Sequence, residues 1–148
     1  MKHILIILFC MMSFFSATSV FASNKVGIAI DQGLGVSGQL MDISTLTGNE
    51  LLTDDYINAF IGDSGISADY IFEQGHFSEA SIINWYLGAG VYYNWSGQSD
   101  VGVRLPLGLV LPLPSGWDIY GQASPALGLK DSDVEMKLDF AIGIRYEF

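Results

Sequence analysis

The first residues to consider for chemistry are His76 and the hydroxyl and carboxyl groups that follow it. Ser78, Glu79 and Ser81 all lie close to His76 in the chain. Serine, histidine and an acid form a hydrolytic triad when a rigid scaffold holds them within hydrogen-bonding distance of one another. These residues fall in a polar connection between two predicted strands, where no strand fixes their geometry. We therefore predict no catalytic residue, and the sequence favours a protein without enzymatic activity.

The sequence also gives no pattern for a metal site. After residue 22 the chain contains one histidine and no cysteine, so the usual nitrogen and sulfur ligand sets are lacking. Asp131 and Asp133 lie in a predicted turn, but this turn lacks the ligand spacing and the bidentate glutamate of a calcium loop. We predict no metal and no cofactor.

The clearest pattern is in Val134–Phe148, which alternates apolar residues with polar or small ones without a break. Side chains of a β-strand point to opposite faces with a period of two, so this segment predicts a strand with one apolar face. A soluble protein can bury such a face in a sandwich core. In a membrane-spanning barrel the apolar face contacts lipid and the polar face lines the lumen.

Similar alternation predicts an all-β fold of eight antiparallel strands in up-and-down order. Residues 42–55 are the least strand-like, because Thr47 and Glu50 fit a helix capping box. A loop followed by a strand at Tyr56–Ile61 and a helix both remain open for residues 42–61. The predicted strands are Lys25–Asp31, Leu34–Leu40, Tyr56–Ile61, Ile66–Glu73, Ile83–Trp95, Val101–Leu113, Trp117–Leu129 and Val134–Phe148.

Charged residues of both signs have the parity of the polar, inward face. Burying a charge is costly unless it is paired, and both signs are available. We expect Arg145 to pair with Asp118, and Arg104 with Asp69 or Asp139, in an interior without a through-channel. The predicted lumen charge cluster is Asp69, Arg104, Asp118, Lys137, Asp139 and Arg145, and Glu73, Gln122 and Glu135 share its parity.

The start of the chain predicts export. Residues 1–22 have a Lys2-His3 segment, an apolar stretch and small or compact residues before Ala22, which is the pattern of a cleaved signal peptide. Residues 23–148 then form one domain. Their five Lys and Arg against sixteen Asp and Glu give a net charge of −11, which disfavours binding to nucleic acid. No run of eighteen apolar residues follows Ala22, which excludes a membrane-spanning helix there.

Several segments resemble small bacterial outer-membrane β-barrel proteins of the OmpA/OmpX type, and more closely a group of short outer-membrane proteins with no assigned activity. The segments are Trp85–Gly90, Val101–Gly108, Ser124–Leu129 and Asp139–Phe148. The resemblance implies an eight-stranded transmembrane β-barrel in the outer membrane of a Gram-negative bacterium. It also implies a monomer that contacts outer-membrane lipids and is recognised by the barrel-insertion machinery through its C-terminal strand.

Aromatic residues cluster near the ends of the predicted strands. Aromatic girdles of this kind mark the two interfaces of a membrane barrel, although aromatic residues also fill sandwich cores. The predicted girdle contains Trp85, Trp117, Tyr146 and Phe148 at one interface, and Tyr93 and Trp95 at the other.

Two classes of function follow from these patterns. The first is a non-enzymatic barrel with a structural or interaction role in the cell envelope. The second is a lipid-handling barrel that binds acyl chains laterally or modifies lipids. It would use a possible lateral gap at Pro106 and Pro125, which lie in adjacent predicted strands and lack a backbone donor. A bulge without a gap is the simpler expectation at these prolines.

Overall fold

The structure is a computed structural model that describes residues 24–41, 55–96, 100–130 and 133–148. Most of these residues lie in antiparallel β-strands. The predicted signal peptide and the loop-or-helix question for residues 42–54 lie outside the described residues. Within the described ranges, no helix combines the length and hydropathy needed to cross a membrane.

The alternating segments form nine strands, and the strand predicted from Tyr56 is confirmed. A tight turn joins the first two strands at Gly33, whose φ of 82° lies in a region that glycine adopts without strain. The strands are β1 (Lys25–Asp31), β2 (Gly33–Met41), β3 (Tyr56–Gly62), β4 (Gly65–His76), β5 (Asn84–Asn94), β6 (Asp100–Arg104), β7 (Leu107–Pro112), β8 (Trp117–Lys130) and β9 (Asp133–Glu147).

The strands form a closed ring of hydrogen-bonded neighbours. Sequential strands pair from β1 to β5, and β9 returns to pair with β1. Both β6 and β7 lie between β5 and β8, so they are two pieces of one interrupted strand. The ring therefore has eight positions occupied by nine strand segments.

Neighbouring strands are staggered around the ring. The path of paired residues from Ile28 passes through Val36, Ile61, Ile66, Tyr93, Val101 and Leu129 to Val134. Ile28 itself pairs with Ile144, so the stagger is 144 − 134 = 10 residues. Eight strands closed with this stagger tilt by roughly 40° and give a radius of about 8 Å. Side chains can fill an interior of this width.

The two faces of the ring differ in polarity. Inward side chains include most of the charged residues, and several of them are buried, such as Asp69, Arg104, Asp118 and Arg145. Outward side chains are large, apolar and exposed, with Val134 70% and Met136 79% exposed. The outward face is thus apolar, whereas the interior combines charged groups with buried aromatic and aliphatic side chains such as Tyr56, Phe60 and Ile71.

One predicted inward residue lies outside. Ile71 pairs with Gly88 and Glu73 pairs with Leu87, so β4 contains a bulge at this point. The extra residue reverses the alternation, and Glu73 lies on the outward face, where it is exposed. The expectation that Glu73 points inward is wrong, because a strict period of two does not anticipate a bulge. Within the described strands, Glu73 is the only charged residue on this face.

The proline pair marks the break between β6 and β7. Pro106 is buried and follows the end of β6, whereas Pro125 is exposed inside the continuous strand β8. The Leu105 N–H donates to the carbonyl oxygen of Pro125 at 3.0 Å, and the Gly88 N–H donates to that of Pro106 at 2.9 Å. The break therefore interrupts the strand locally, while backbone hydrogen bonds continue to both neighbours.

The seam between β1 and β9 gives a test of ring closure. A Cβ atom on Gly27 would lie 1.8 Å from the Ile144 carbonyl oxygen, whereas one on Gly38 would lie 3.8 Å from its nearest neighbour, the Lys25 carbonyl oxygen. We expect Gly27→Ala to lower the free energy of unfolding by about 3 kcal/mol and Gly38→Ala by much less, as measured by chemical denaturation. Equal effects would show that the seam is not closely packed.

Candidate functional site

The interior of the ring contains a buried guanidinium group that holds two carboxylates. Arg104 ends β6, Asp31 ends β1 and Asp69 lies within β4, so three distant segments meet here. Arg104 Nη1 and Nη2 each donate to Asp31 at 2.8 Å. Arg104 Nε and Nη2 donate to Asp69 at 2.8 and 2.7 Å. We call Arg104, Asp31 and Asp69 the Arg104 cluster.

The Arg104 cluster is buried and closely hydrogen-bonded. Its three side chains are at most 4% exposed. The Ser67 hydroxyl donates to Asp31 at 2.8 Å and accepts from Arg104 Nη2 at 2.9 Å. Bidentate bonds between arginine and carboxylate are among the strongest polar contacts in proteins. With one cation and two anions, the cluster has a formal charge of −1.

Glycine provides the space that Asp69 occupies. Gly90 in β5 pairs with Asp69, and a Cβ atom on Gly90 would lie 1.9 Å from the Asp69 carboxylate. Any other residue at position 90 would displace this carboxylate from Arg104. The position of the acid therefore depends on a neighbouring residue without a side chain.

A second cluster lies nearer the chain ends, and we call it the Arg145 cluster. Arg145 Nε donates to Asp118 Oδ1 at 2.9 Å, and Lys25 Nζ lies 2.8 Å from Asp118 Oδ2. Arg145 also donates to Asn58 at 3.1 Å, and its guanidinium carbon lies 4.3 Å from the centre of the Tyr120 ring. Lys25, Asp118 and Arg145 together have a formal charge of +1.

A third cluster lies towards the β8–β9 turn. Lys137 Nζ is 2.7 Å from Asp100 and 3.7 Å from Asp139, and it lies 4.1 Å from the centre of the Tyr92 ring. The Tyr92 hydroxyl donates to Asp100 Oδ2 at 3.1 Å. Lys137, Asp100 and Asp139 have a formal charge of −1.

Uncharged polar groups fill the space beside the Arg104 cluster. The Tyr86 hydroxyl donates to Gln122 Oε1 at 2.7 Å, and Gln122 Nε2 donates to Ser124 at 3.3 Å and to Asp69 at 3.5 Å. The ring of Tyr86 lies over Gly108, where a Cβ atom would be 2.1 Å from Tyr86 Cζ. The aromatic ring therefore needs glycine at position 108.

The structure places all six residues of the predicted lumen charge cluster inside the ring. It brings Arg145 to Asp118, Arg104 to Asp69 and Lys137 to Asp139. The hydrogen bonds and ion pairs described for Arg104 do not include Asp139. Sequence reasoning missed Lys25, Asp31 and Asp100 as partners of these residues. Their inward parity was visible, but all three lie at the ends of strands, where turn residues and strand residues are hard to distinguish.

The predicted girdle residues lie at both ends of the outward face. The Trp117 and Tyr146 rings are 5.1 Å apart, and the Tyr93 and Trp95 rings are 6.1 Å apart. Trp85 lies at the start of β5, and Phe148 follows β9 at the end that carries the termini. Trp95 Nε1 also donates to the Asp63 carbonyl oxygen at 2.8 Å.

The residues first considered for hydrolysis are not assembled into a triad. His76 ends β4 rather than lying in a connection, because the strand continues past Gln74. The Ser81 hydroxyl donates to the Ile83 carbonyl oxygen. The backbone N–H of Ser81 donates to the Ser78 carbonyl oxygen at 3.0 Å. Among the described residues, no group of three His, Cys, Asp or Glu side chains is arranged to bind a metal.

The interior leaves little continuous space. A cavity of about 10 Å³ lies between the Arg104 and Arg145 clusters, which is room for about one water molecule. A larger space of about 280 Å³ opens at the end that carries the termini, beside Lys25, Tyr56 and Tyr86. The clusters therefore fill the middle of the ring, and the interior widens at the end that carries the termini.

No family model, no curated protein and no solved structure matches the chain.

The two arginines should differ in their effect on stability. Arg104→Ala leaves both Asp31 and Asp69 without their cation, and we expect the free energy of unfolding to fall by about 3–5 kcal/mol. Arg145→Ala leaves Asp118 paired with Lys25, so its loss should be smaller. Denaturation of both variants tests this order, and an equal or larger loss for Arg145→Ala would contradict it.

Packing of Tyr86 against Gly108 gives a separate prediction. We expect Gly108→Ala to cost about 1–3 kcal/mol of stability, because the methyl group displaces a buried ring that is hydrogen-bonded to Gln122. Gly121→Ala is the matched control in the neighbouring strand β8, since its nearest contact would be 3.9 Å away. Thermal denaturation of the two variants measures the difference. Similar melting temperatures would show that Tyr86 can move without cost.

Proposed function

We propose that this protein is a small outer-membrane β-barrel of a Gram-negative bacterium, similar to the OmpA/OmpX type. In this proposal the eight positions of the ring are the eight strands of an up-and-down barrel. The outward face contacts lipid, and the three charge clusters fill the lumen. The role is non-enzymatic and serves envelope structure or interaction.

The exposed apolar face of the ring is the observation that supports the proposal most. The outward positions of the described strands are apolar or small except for Glu73, and many of their large side chains are exposed. Exposing such a surface to water is unfavourable at roughly 25 cal/mol for each Å². A bilayer removes this cost, and a ring suits a bilayer because strands that pair with a neighbour on both sides satisfy backbone groups within the protein.

The strand lengths also fit a bilayer. Strands of about 9–11 residues cross the hydrocarbon core when tilted, and β5, β8 and β9 contain 11, 14 and 15 residues. The paired aromatic rings of Trp117 with Tyr146 and of Tyr93 with Trp95 lie at opposite ends of this surface. Aromatic residues are enriched at such interfaces.

The plugged interior favours a structural or interaction role over transport. Buried bidentate ion pairs hold side chains from β1, β4 and β6 together across the lumen, and in this proposal they block the passage of ions. The partners in this proposal are outer-membrane lipids and the insertion machinery that recognises the C-terminal strand, and the barrel is a monomer. The lipid-handling alternative at Pro106 and Pro125 stays a hypothesis, and lipid that copurifies with the barrel would support it.

Fractionation and electrophoresis test the proposal directly. The protein should sediment with outer membranes, require detergent for extraction and migrate differently on a gel before and after boiling, because closed barrels resist unfolding in detergent. Planar bilayers containing the protein should show no steady large single-channel currents. A protein that stays soluble without detergent would overturn the membrane assignment, and steady currents would overturn the plugged interior.

Depth in the bilayer gives a matched pair of substitutions. Leu107 and Val134 are both outward and exposed. Leu107 begins β7, midway between the two ends of the ring along its axis, whereas Val134 lies at one end, beside the β8–β9 turn. We expect Leu107→Arg to cost about 2–4 kcal/mol and Val134→Arg about 0–1 kcal/mol in lipid vesicles. Equal costs from equilibrium folding titrations would contradict the proposed orientation.

A further inference from the structure

The apolar belt of the ring has unequal height on its two sides. Each residue of a tilted strand adds about 2.5 Å along the ring axis. On this basis the outward apolar runs are about 10–15 Å tall on β1–β4 and about 25–35 Å tall on β5–β9. The runs are Val26–Ile30, Leu34–Leu40, Ile57–Ile61 and Ile66–Phe72 on the short side, and Trp85–Trp95, Val101–Leu111, Trp117–Leu129 and Val134–Phe148 on the tall side.

Two features of the sequence set the height of the short side. At one end, β1 stops at Asp31, and the β3–β4 turn follows Gly62. At the other end, the bulge in β4 turns Glu73 outward, and Asp55, which accepts a hydrogen bond from the Tyr70 hydroxyl, precedes β3. Glu73 and Asp55 therefore interrupt the apolar surface at the ends of the described strands β4 and β3, and exposed Phe77 lies beyond Glu73.

The tall side results from the stagger between β1 and β9. Pairing between these strands runs from Lys25 and Glu147 to Ile30 and Ile142. The first nine residues of β9 extend beyond this pairing, and their outward residues stay apolar as far as Val134. The exposed fractions of Leu138 and Phe140, 54% and 66%, show that this extension continues the same apolar surface.

We propose that the β1–β4 face contacts a bilayer that is locally thinned, so that the partner of this face is lipid with short or disordered acyl chains. This inference rests on the proposed membrane function and goes beyond it. A bilayer of ordinary thickness would bring hydrocarbon over Glu73 and Asp55, which is costly for carboxylates. Thinning of the bilayer is one of the ways in which membranes accommodate a short apolar belt.

Charge favours lipid over a second copy of the protein as the occupant of this face. Two copies that packed through β3 and β4 would bring one Glu73 towards the other. The described strands carry no cation on the outward face that could pair with them. Like charges brought together in this way disfavour association.

Bilayer thickness is the variable that tests the inference. Full-length mature protein is folded into phosphatidylcholine vesicles with chains of 12 or 18 carbons, and its unfolding rate is measured. Glu73→Leu should slow unfolding about tenfold in the 18-carbon bilayer, where the carboxylate is forced into hydrocarbon, and little in the 12-carbon bilayer. Glu135→Leu is the control, because it removes an exposed carboxylate from the inward side of the tall strand β9.

The outcomes separate this inference from the proposed function. A thickness-dependent effect of Glu73→Leu that Glu135→Leu does not share supports local thinning. If the wild type folds in both bilayers and Glu73→Leu has the same effect in each, the inference is overturned and the membrane function stands. Failure of the wild type to fold in either bilayer would overturn the membrane function itself. Crosslinked dimers that join through the β1–β4 face would show that a second copy of the protein, and not lipid, covers this face, and they would overturn the inference.

Discussion

The contact of Arg104 with Asp31 and Asp69 is the interaction on which the interior depends. It joins β6, β1 and β4, which occupy different positions around the ring. A guanidinium group stays charged in every accessible environment and donates in a planar fork, so one side chain can hold two carboxylates at fixed angles. Apolar packing could fill the same space, but it would not fix which strands face one another.

Polar contacts inside and apolar residues outside follow from the same alternation. In an interior with a radius of about 8 Å, each inward side chain meets others from across the ring, so charges of both signs must be placed in register. Small residues at neighbouring positions, such as Gly90 beside Asp69 and Gly108 beside Tyr86, provide the space. The positions of these glycines are therefore as important for the interior as the positions of the charged residues.

Alternation in the sequence was enough to predict the all-β class, most strands and the inward direction of Arg104 and Arg145. It did not predict the direction of Glu73, because a bulge leaves no clear mark in a pattern of period two. It also missed Asp31, Lys25 and Asp100, whose roles depend on which strands lie opposite each other. That relation is set by the ten-residue stagger, which is a property of the closed ring and not of any single strand.

The distance in sequence between the paired charges has a consequence for how the chain folds. Arg104 and Asp31 are 73 residues apart, and Lys25 and Asp118 are 93 residues apart. Hairpins such as β8–β9 can form from local contacts, but these ion pairs exist only after β1 has met β6 and β8 inside the ring. Since long-range contacts require the entropy of loop closure to be overcome first, we infer that the charged interior forms late and makes the final closure cooperative.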